Sequence, residues 1–174
     1  MSCWIDERAG TVIAVLIFKR DDLLYDIKNY AFIEGSISET DSNHVRHTIQ
    51  DVGEDGNVDR VTRVLNLTVA KCKEMLYPYT KHNIHRQELD DKLREPGVYG
   101  LVMRVPKEYS QTSLNLLEEL IHEYLVCTVV ADWMSITNPT KAEMWKGKAE
   151  SASREIKTGL NSRMQRVRIK THPF

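Results

Sequence analysis

The longest apolar stretch of the sequence lies at residues 113–136 and reads SLNLLEELIHEYLVCTVVADWMSI. Along it, residues of one face recur at steps of three and four, the spacing of one face of an α-helix. That face consists of Leu114, Leu117, Ile121, Tyr124, Thr128, Ala131 and Met134. At 1.5 Å per residue such a helix is about 36 Å long, about the width of a small domain. From Tyr124 to Ala131 the polar face nearly disappears, so this part should be covered on several sides, by the rest of the chain or by another copy. The pattern predicts a central helix.

A membrane span is excluded for this helix by its charged side chains. Glu118, Glu119, Glu123 and Asp132 interrupt the run, and a span needs roughly 18 uncharged residues. The helix is therefore expected to lie in the core of a protein that does not enter a membrane.

The length and composition fit one domain with a sizeable core, since the chain has 174 residues of which 41% are hydrophobic. Its formal net charge is only −1, but the charge is unevenly placed. Residues 139–174 contain nine Lys and Arg against three Glu, a net of +6, which leaves −7 for residues 1–138. Such a charge distribution suits ordered packing of copies, although a basic tail is more often simply solvated.

Three cysteines and the amino-terminal residues bear on the cell compartment. Cys3, Cys72 and Cys127 are scattered and odd in number, so they are expected to be reduced residues in a cytoplasmic setting. Asp6 and Glu7 occupy the place where a signal peptide carries basic residues. We therefore expect the protein to stay in the cytoplasm in which it is made.

The first half of the chain alternates between strand and helix patterns. Residues 11–18, TVIAVLIF, are short and rich in β-branched residues, which predicts a strand. Asp21 is then placed to cap a helix that ends at Gly35. Its predicted inward side holds Leu23, Leu24, Ile27, Tyr30, Ala31 and Ile33. A weaker helix is predicted over residues 41–50.

Residues 51–57, DVGEDGN, form a turn with a partial likeness to a calcium loop. Asp51, Asp55 and Gly56 fit positions 1, 5 and 6 of such a loop, but Gly53 and Thr62 stand where positions 3 and 12 need oxygen ligands. The favoured interpretation is a tight loop in which Asn57 caps a helix over residues 58–77.

The second half adds a strand and a final helix. Residues 98–105, VYGLVMRV, predict a second strand that pairs with the first, after a polar connection with a short helical piece at residues 88–93. Asn138-Pro139 signals the start of the last helix, to about Asn161, with Thr140 and Glu143 as a capping box. Residues 166–170 alternate like a strand.

These elements predict a mainly α fold, a helical bundle around the long central helix (113–136) with a small two- or three-stranded β element. Residues 1–162 are interpreted as one helical domain and residues 163–174 as a C-terminal basic arm. The core should pack the central helix against the helix of residues 58–77 and against the last helix.

Metal and catalytic sites are not indicated by the sequence. Two pairs of histidines, His44 with His47 and His82 with His85, are each spaced three residues apart, and such a pair could bind zinc. No cysteine pair or HExxH motif accompanies them. His122 and Glu123, one turn after Glu118 and Glu119, are more simply solvated side chains than an acid–base cluster. No phosphate-binding loop or nucleophile motif is present. We therefore expect no cofactor, no metal and no enzymatic activity.

Nucleic-acid contact has a stronger basis in the sequence. Basic residues cluster on the predicted last helix and in the tail that follows it. They are Lys141, Lys146, Lys148, Arg154, Lys157, Arg163, Arg166, Arg168 and Lys170. Such a stripe could follow phosphates without reading base sequence. No helix-turn-helix spacing or stacking aromatic residues support it, and the chain before it is acidic.

Several phrases of the sequence occur together in a recognisable order. They are DDLLYDIKNYAFIEG, DGNVDRVTRVLNL, LIHEYLVCTVVADWMSITNPTKAEMW and the ending RVRIKTHPF. In order and wording they resemble the head-to-tail connector, or neck ring, proteins of tailed bacteriophages, particularly of crAss-like and related phages and prophages. The resemblance covers most of the chain from about Thr11, and none of its phrases is a catalytic signature.

The resemblance implies a structural virion protein that forms an oligomeric ring, often twelvefold, at the phage neck. Such a ring would join the portal to the tail, contact adjacent neck or tail proteins and continue the DNA channel, after assembly in the host cytoplasm. The alternative is a small DNA-associated or regulatory phage protein acting as a monomer or dimer.

The surfaces expected to serve this assembly are the last helix and the tail. The predicted oligomer or portal interface comprises Trp145, Ala149, Ala152, Arg163, Arg166, Val167, Arg168, Ile169, Lys170 and Phe174. Strand addition by the tail would satisfy its unpaired backbone groups. The residues expected to contact non-specific DNA in the channel are Lys141, Lys146 and Lys148.

Overall fold

The computed structural model describes residues 5–8, 11–37, 43–77, 79–80, 96–107 and 109–162. In these residues the fold is mainly helical, as the sequence predicts, with a small antiparallel sheet. The strands are β1 (Ile5–Arg8), β2 (Thr11–Lys19) and β3 (Val98–Pro106). The helices are α1 (Arg20–Ile37), α2 (Asn43–Gln50), α3 (Asp55–Met75), α4 (Gln111–Thr137) and α5 (Pro139–Ser162), with a single 3₁₀ turn at Asp51–Gly53.

The sheet has the strand order β1-β2-β3, and both pairings are antiparallel. β2 and β3 pair along their whole lengths, from Thr11 opposite Pro106 to Lys19 opposite Val98. Alternate residues of β2 and β3 are buried, because successive side chains of a strand point to opposite faces. The buried residues are Val12, Ala14, Leu16 and Phe18 on β2 and Tyr99, Leu101, Met103 and Val105 on β3.

Helix α4 is the central element of the fold. It contacts α1, α2, α3, α5 and β2. Leu125, Val126 and Cys127 are consecutive and all buried, which requires neighbours on more than one side of the helix. The predicted covering of the central helix is therefore confirmed, and the chain's own helices provide it.

The start of α5 is fixed locally by Asn138 and Pro139. The Asn138 carbonyl accepts from the backbone N–H of Lys141 at 3.0 Å and from that of Ala142 at 3.1 Å. Pro139 occupies the first helical position, where its missing N–H costs nothing. The predicted helix start is confirmed. The two N–H groups donate to the backbone carbonyl of Asn138, and not to the Thr140 side chain of the predicted capping box.

Several details of the sequence prediction are wrong. Helix α1 begins at Arg20, so Asp21 lies inside its first turn and not at the cap that precedes it. Helix α3 begins at Asp55, so Asn57 lies inside its first turn, and the Asn57 amide donates to the Asp51 carbonyl at 2.8 Å. Helix α1 continues past Gly35, which is buried, to Ile37. Ile33, predicted to face inward, is 41% exposed. The predicted helical piece at residues 88–93 and the predicted strand at residues 166–170 lie outside the described residues.

Candidate assembly surfaces

A buried polar contact joins α5 to α1 near the start of α5. Trp145 donates its indole N–H to Oε1 of Glu34 at 3.2 Å, and Nζ of Lys141 lies 3.1 Å from Oε2 of the same carboxylate. The Tyr30 ring packs against Trp145, with ring centroids 4.9 Å apart. A carboxylate that is only 9% exposed needs such partners, because an unpaired buried charge is strongly destabilising. These contacts hold α1 and α5 together within one chain.

The burial of α5 corrects part of the predicted interface. Trp145, Ala149 and Ala152 are 3%, 7% and 5% exposed in the single chain. The small side chains of Ala149 and Ala152 allow α5 to lie close to its neighbours, and α4 is the helix that α5 contacts most extensively. These three side chains therefore belong to the chain's own core and offer no surface to a second copy. The apolar central helix, being covered by the same chain, likewise gives no reason to expect a partner.

The three lysines predicted to contact DNA do not form one stripe. Lys141 is paired with Glu34, and Nζ of Lys148 lies 4.0 Å above the centre of the Trp145 ring. Lys146 is exposed beside Glu143, with a separation of 3.9 Å. Five residues place Lys146 about 140° around the helix from Lys141. The structure thus places Lys146 on a different side of α5 from the other two lysines, and it engages Lys141 and Lys148 in contacts with the body of the protein.

The histidine pairs show different surroundings. His44 and His47 are exposed on α2, while His82 and His85 lie outside the described residues. In the described part of the chain, no group of three or more His, Cys, Asp or Glu side chains is arranged to hold a metal ion.

Residues 51–57, which partly resemble a calcium loop, form the 3₁₀ turn and the first turn of α3.

The polar residues of α4 make one contact with α1 and one within α4 itself. His122 Nε2 lies 2.7 Å from Oδ2 of Asp26, and the Phe18 ring lies beside the imidazole at 6.4 Å between centroids. Cys127 donates its S–H to Oε1 of Glu123 at 3.2 Å. Burial, followed by this bond, raises the pKa of the Cys127 thiol to about 12. A thiol with that pKa stays protonated at neutral pH, so it is a poor nucleophile.

The solvent side of α1 carries four large apolar side chains. Tyr25, Phe32, Ile33 and Ile37 are all exposed, and we call them the apolar α1 face. They occupy about 140° of the helix circumference, opposite the buried Leu23, Ile27 and Ala31. The exposed Asp22, Asn29 and Ser36 lie in the same sector, so the four apolar side chains are interleaved with polar ones. The sequence prediction missed this face because it counted Ile33 as part of the inward side.

The outer face of the sheet is also apolar. Ile13, Val15 and Ile17 on β2 and Val102 on β3 are half-buried, and Val15 lies opposite Val102 in the pairing. A strand that is apolar on both faces is typical of a sheet that is covered on both sides. Beside this sheet, the backbone N–H of Arg104 donates to the Tyr79 carbonyl at 3.0 Å, so the main chain at Tyr79 lies along the outer edge of β3.

A groove lies between the first half of α4 and the end of α5. It is shallow and partly open to solvent, with a cavity volume of only about 20 Å³, and its lining is predominantly apolar. Its lining residues are Tyr109, Ser113, Leu116, Leu117, Leu120, Glu155, Ile156 and Gly159, and we call it the α4–α5 groove. The sequence did not indicate it, because it results from the crossing of two helices whose apolar residues all fit a core pattern.

The remaining predicted interface residues follow α5. They are Arg163, Arg166, Val167, Arg168, Ile169, Lys170 and Phe174, and all lie outside the described residues.

Among the helices that the structure describes, none has both the length and the apolar character needed to cross a bilayer.

The whole chain was compared with protein-family models, curated proteins and solved structures, and none of them matches it.

Proposed function

We propose that this protein is a structural component of a tailed-phage virion that assembles into a ring at the neck, between the portal and the tail. In this proposal the ring is twelvefold, continues the channel through which the genomic DNA passes without reading its sequence, and contacts the portal and adjacent neck or tail proteins. The chain has no catalytic task. The sequence resemblance suggests the virion, and the structure supplies a surface suited to self-association.

The observation that carries the self-association is the apolar α1 face. Four large apolar side chains on the solvent side of one helix form a surface whose burial is favourable at about 25 cal/mol per Å². Isolated exposed apolar residues are ordinary, but a grouped set marks an interaction site. Glu34 contacts α5 from the side of α1 that is next to Ile33 and Ile37. A partner bound to this face would therefore lie close to the contact between α1 and α5.

The distribution of charge supports repeated contact between identical copies. Residues 139–174 carry a net charge of +6 and residues 1–138 carry −7. In a ring the same contact is repeated around a closed circle, so each copy presents one surface to one neighbour and a different surface to the other. Opposite charge on two parts of each chain favours such head-to-tail contacts and steers their formation.

The test is light scattering of the purified protein over a range of concentrations. Phe32→Asp and Tyr77→Asp are a matched pair, because the two aromatic side chains are 59% and 60% exposed. The unmodified chain and Tyr77→Asp should gain mass with concentration, whereas Phe32→Asp should remain monomeric. Equal behaviour of both variants, or an unmodified chain that stays monomeric at every concentration, would contradict the role of this face.

The position in the virion needs a separate measurement. A density map of phage particles by electron cryo-microscopy should show this chain as a ring below the portal. If the particles lack the chain, and the pure protein is a monomer or dimer that binds duplex DNA with a steep dependence on salt, the DNA-associated alternative is correct.

A further inference from the structure

A ring of identical chains needs a second contact surface that differs from the apolar α1 face. If the α1 faces of two copies bound each other, the contact would close a dimer and leave no free face for a third copy. In the proposed ring, the α1 face of one copy therefore contacts another surface of its neighbour. That surface has to be apolar and exposed in the single chain, because burial of the α1 side chains against unpaired polar groups is unfavourable.

The outer side of the sheet has these properties. Its apolar residues are Ile13, Val15 and Ile17 on β2 and Val98 and Val102 on β3, and we call them the outer sheet face. Val98 is 51% exposed, Gly100 between the two valines is exposed, and no residue of the set is fully buried. Two neighbouring strands thus present an apolar surface on the side of the sheet that is opposite the core.

The two surfaces match in length. The apolar α1 face extends from Tyr25 to Ile37, which is about 18 Å along the helix axis. The outer sheet face extends from Ile13 to the level of Val98, which lies opposite Lys19, and this is about 20 Å along β2. A helix laid along the two strands would cover the apolar part of both. It would also give the sheet a cover on its second side, which strands that are apolar on both faces usually have.

The outer side of the sheet carries positive charge at both ends of its apolar part. The charged residues on this side of β2 and β3 are Lys19 and Arg104, and both are exposed. Arg104 lies opposite Ile13, and Lys19 lies opposite Val98. A cation therefore stands at each end of the outer sheet face.

Helix α1 supplies the opposite charge. Asp21 and Asp22 are exposed and lie within one turn before Tyr25, at one end of the apolar α1 face. Because each end of the outer sheet face carries a cation, the acidic end of α1 meets a positive charge whichever way the helix runs along the strands. Such complementarity steers the docking of two surfaces and disfavours other arrangements.

We propose that the outer sheet face of each copy binds the apolar α1 face of the next copy. This inference rests on the proposed ring, and it names the two surfaces that form the repeated contact. Both surfaces are exposed in the single chain, so they do not cover each other within it. Each copy therefore presents one of them to each of its two neighbours, as a closed ring requires.

Cross-linking between copies tests the proposal without changing an apolar side chain. Asn29 is exposed in the middle of the apolar α1 face, and a Cβ atom on the exposed Gly100 would meet nothing within 4 Å. In a Cys3→Ser background, chains with Asn29→Cys are mixed with tagged chains with Gly100→Cys and treated with a short bismaleimide. The two other cysteines, Cys72 and Cys127, are fully buried.

The control uses Lys71→Cys, at an exposed position of α3, in place of Asn29→Cys. At a concentration at which the unmodified chain associates, the Asn29 and Gly100 variants should form the mixed linked dimer at least about tenfold faster than the control. The reason is that the bound surfaces hold the two cysteines at a high effective concentration.

The outcomes separate this inference from the proposed ring. If light scattering shows association but the mixed dimer forms no faster than the control, the sheet is not the partner of α1, and only this inference is wrong. If the Asn29→Cys chains link mainly to one another, the α1 faces bind each other, which also overturns it. A chain that stays monomeric at every concentration contradicts both the inference and the ring.

An exchange of charge gives an independent test. One variant combines Lys19→Glu with Arg104→Glu, and the other combines Asp21→Lys with Asp22→Lys. Each variant alone should associate at least about threefold more weakly than the unmodified chain, because like charges then face each other. An equal mixture should recover the association, since every contact can then join two reversed surfaces or two unmodified ones. A mixture that associates no better than either variant alone would refute the docking.

Discussion

Ile121 shows how a single side chain depends on its place in the fold. It lies in the middle of α4, it is fully buried, and it belongs to the core that includes Val61 and Leu65 of α3 and Trp145 of α5. The sequence predicted this packing from the period of the helix. The prediction is confirmed because an apolar stripe on a long helix has few alternatives to the core.

The first prediction is that Ile121→Ala lowers the free energy of unfolding by about 2 to 5 kcal/mol, through lost transfer free energy and a cavity. Leu116→Ala on the same helix is the control, since Leu116 is half exposed, and it should cost less than about 1 kcal/mol. Urea unfolding followed by circular dichroism measures both. Similar losses for the two variants would show that the middle of α4 is not a tightly packed core.

The two described cysteines give the molecule a pH dependence. Burial raises the pKa of the Cys72 thiol to about 12, and burial together with the bond to Glu123 does the same for Cys127. The corresponding value in an unfolded chain is 9.0. Between these values the folded state keeps both protons while the unfolded state releases them, so the free energy of unfolding falls as the pH rises.

We therefore predict a loss of about 1 kcal/mol per thiol between pH 9 and pH 10, a range that lies at or below the ordinary pKa of tyrosine. Urea unfolding at the two pH values measures it. Cys127→Ala should reduce the loss by about 1 kcal/mol, because one thiol is gone, while Tyr30, Tyr79 and Tyr124, whose pKa values burial also raises, keep their smaller share. A free energy of unfolding that is the same at both pH values would show that these thiols are not shielded from water.

At the scale of the elements, two glycines in helices have opposite surroundings. A Cβ atom on Gly35 of α1 would lie 2.8 Å from Cγ of Gln50 and 3.1 Å from the Arg46 carbonyl oxygen of α2. A Cβ atom on Gly147 of α5 would meet nothing within 4 Å. The first glycine allows two helices to approach, and the second only weakens its own helix.

Gly147→Ala should accordingly raise the free energy of unfolding by about 0.5 to 1 kcal/mol through helix propensity. Gly35→Ala should lower it by about 1 to 3 kcal/mol, because the backbone of α2 has to move. Thermal unfolding of the two variants side by side measures the difference. A stabilising Gly35→Ala would mean that α2 is not held against α1.

Some features were read correctly from the sequence, among them the pairing of the two long strands and the start of α5, whereas contacts between particular distant side chains were not. Asn138-Pro139 predicted the start of α5 because its effect is confined to one turn. The inward side of α1 was misread at Ile33, since large apolar residues occur on both sides of this helix and their spacing alone does not show which of them meet the core. The burial of Glu34 depends on Trp145, which is 111 residues away, and no local pattern indicates that contact. The α4–α5 groove was missed for the same reason.

At the scale of the whole molecule, residues 5–162 contain the described core, and residues 163–174 follow its last helix. Every buried residue of the described core lies between Val12 and Leu160. The described residues thus form a core by themselves, and deletion of the segment after Ser162 tests whether that segment adds to it.

We predict that deleting residues 163–174 leaves the helical circular dichroism signal intact and lowers the melting temperature by no more than about 2 to 4 °C, the shift produced by 1 kcal/mol in a domain of this size. The shortened chain should be absent from purified phage particles, because the sequence predicts that the arm makes a contact with the neighbouring subunit or portal. An unfolded truncation would show that the segment is part of the domain's core. Normal incorporation would show that the arm is not needed for assembly.

The pairing of β2 with β3 has a consequence for synthesis on the ribosome. β2 ends at Lys19 and β3 begins at Val98, so an apolar strand leaves the ribosome long before its main partner exists. At about 5 to 20 residues per second, the delay is roughly 4 to 16 seconds. During that time the newly made TVIAVLIF strand has only β1 beside it and is exposed to self-association with other nascent chains. Fragments that end before Val98 should therefore depend on chaperones far more than the complete chain does.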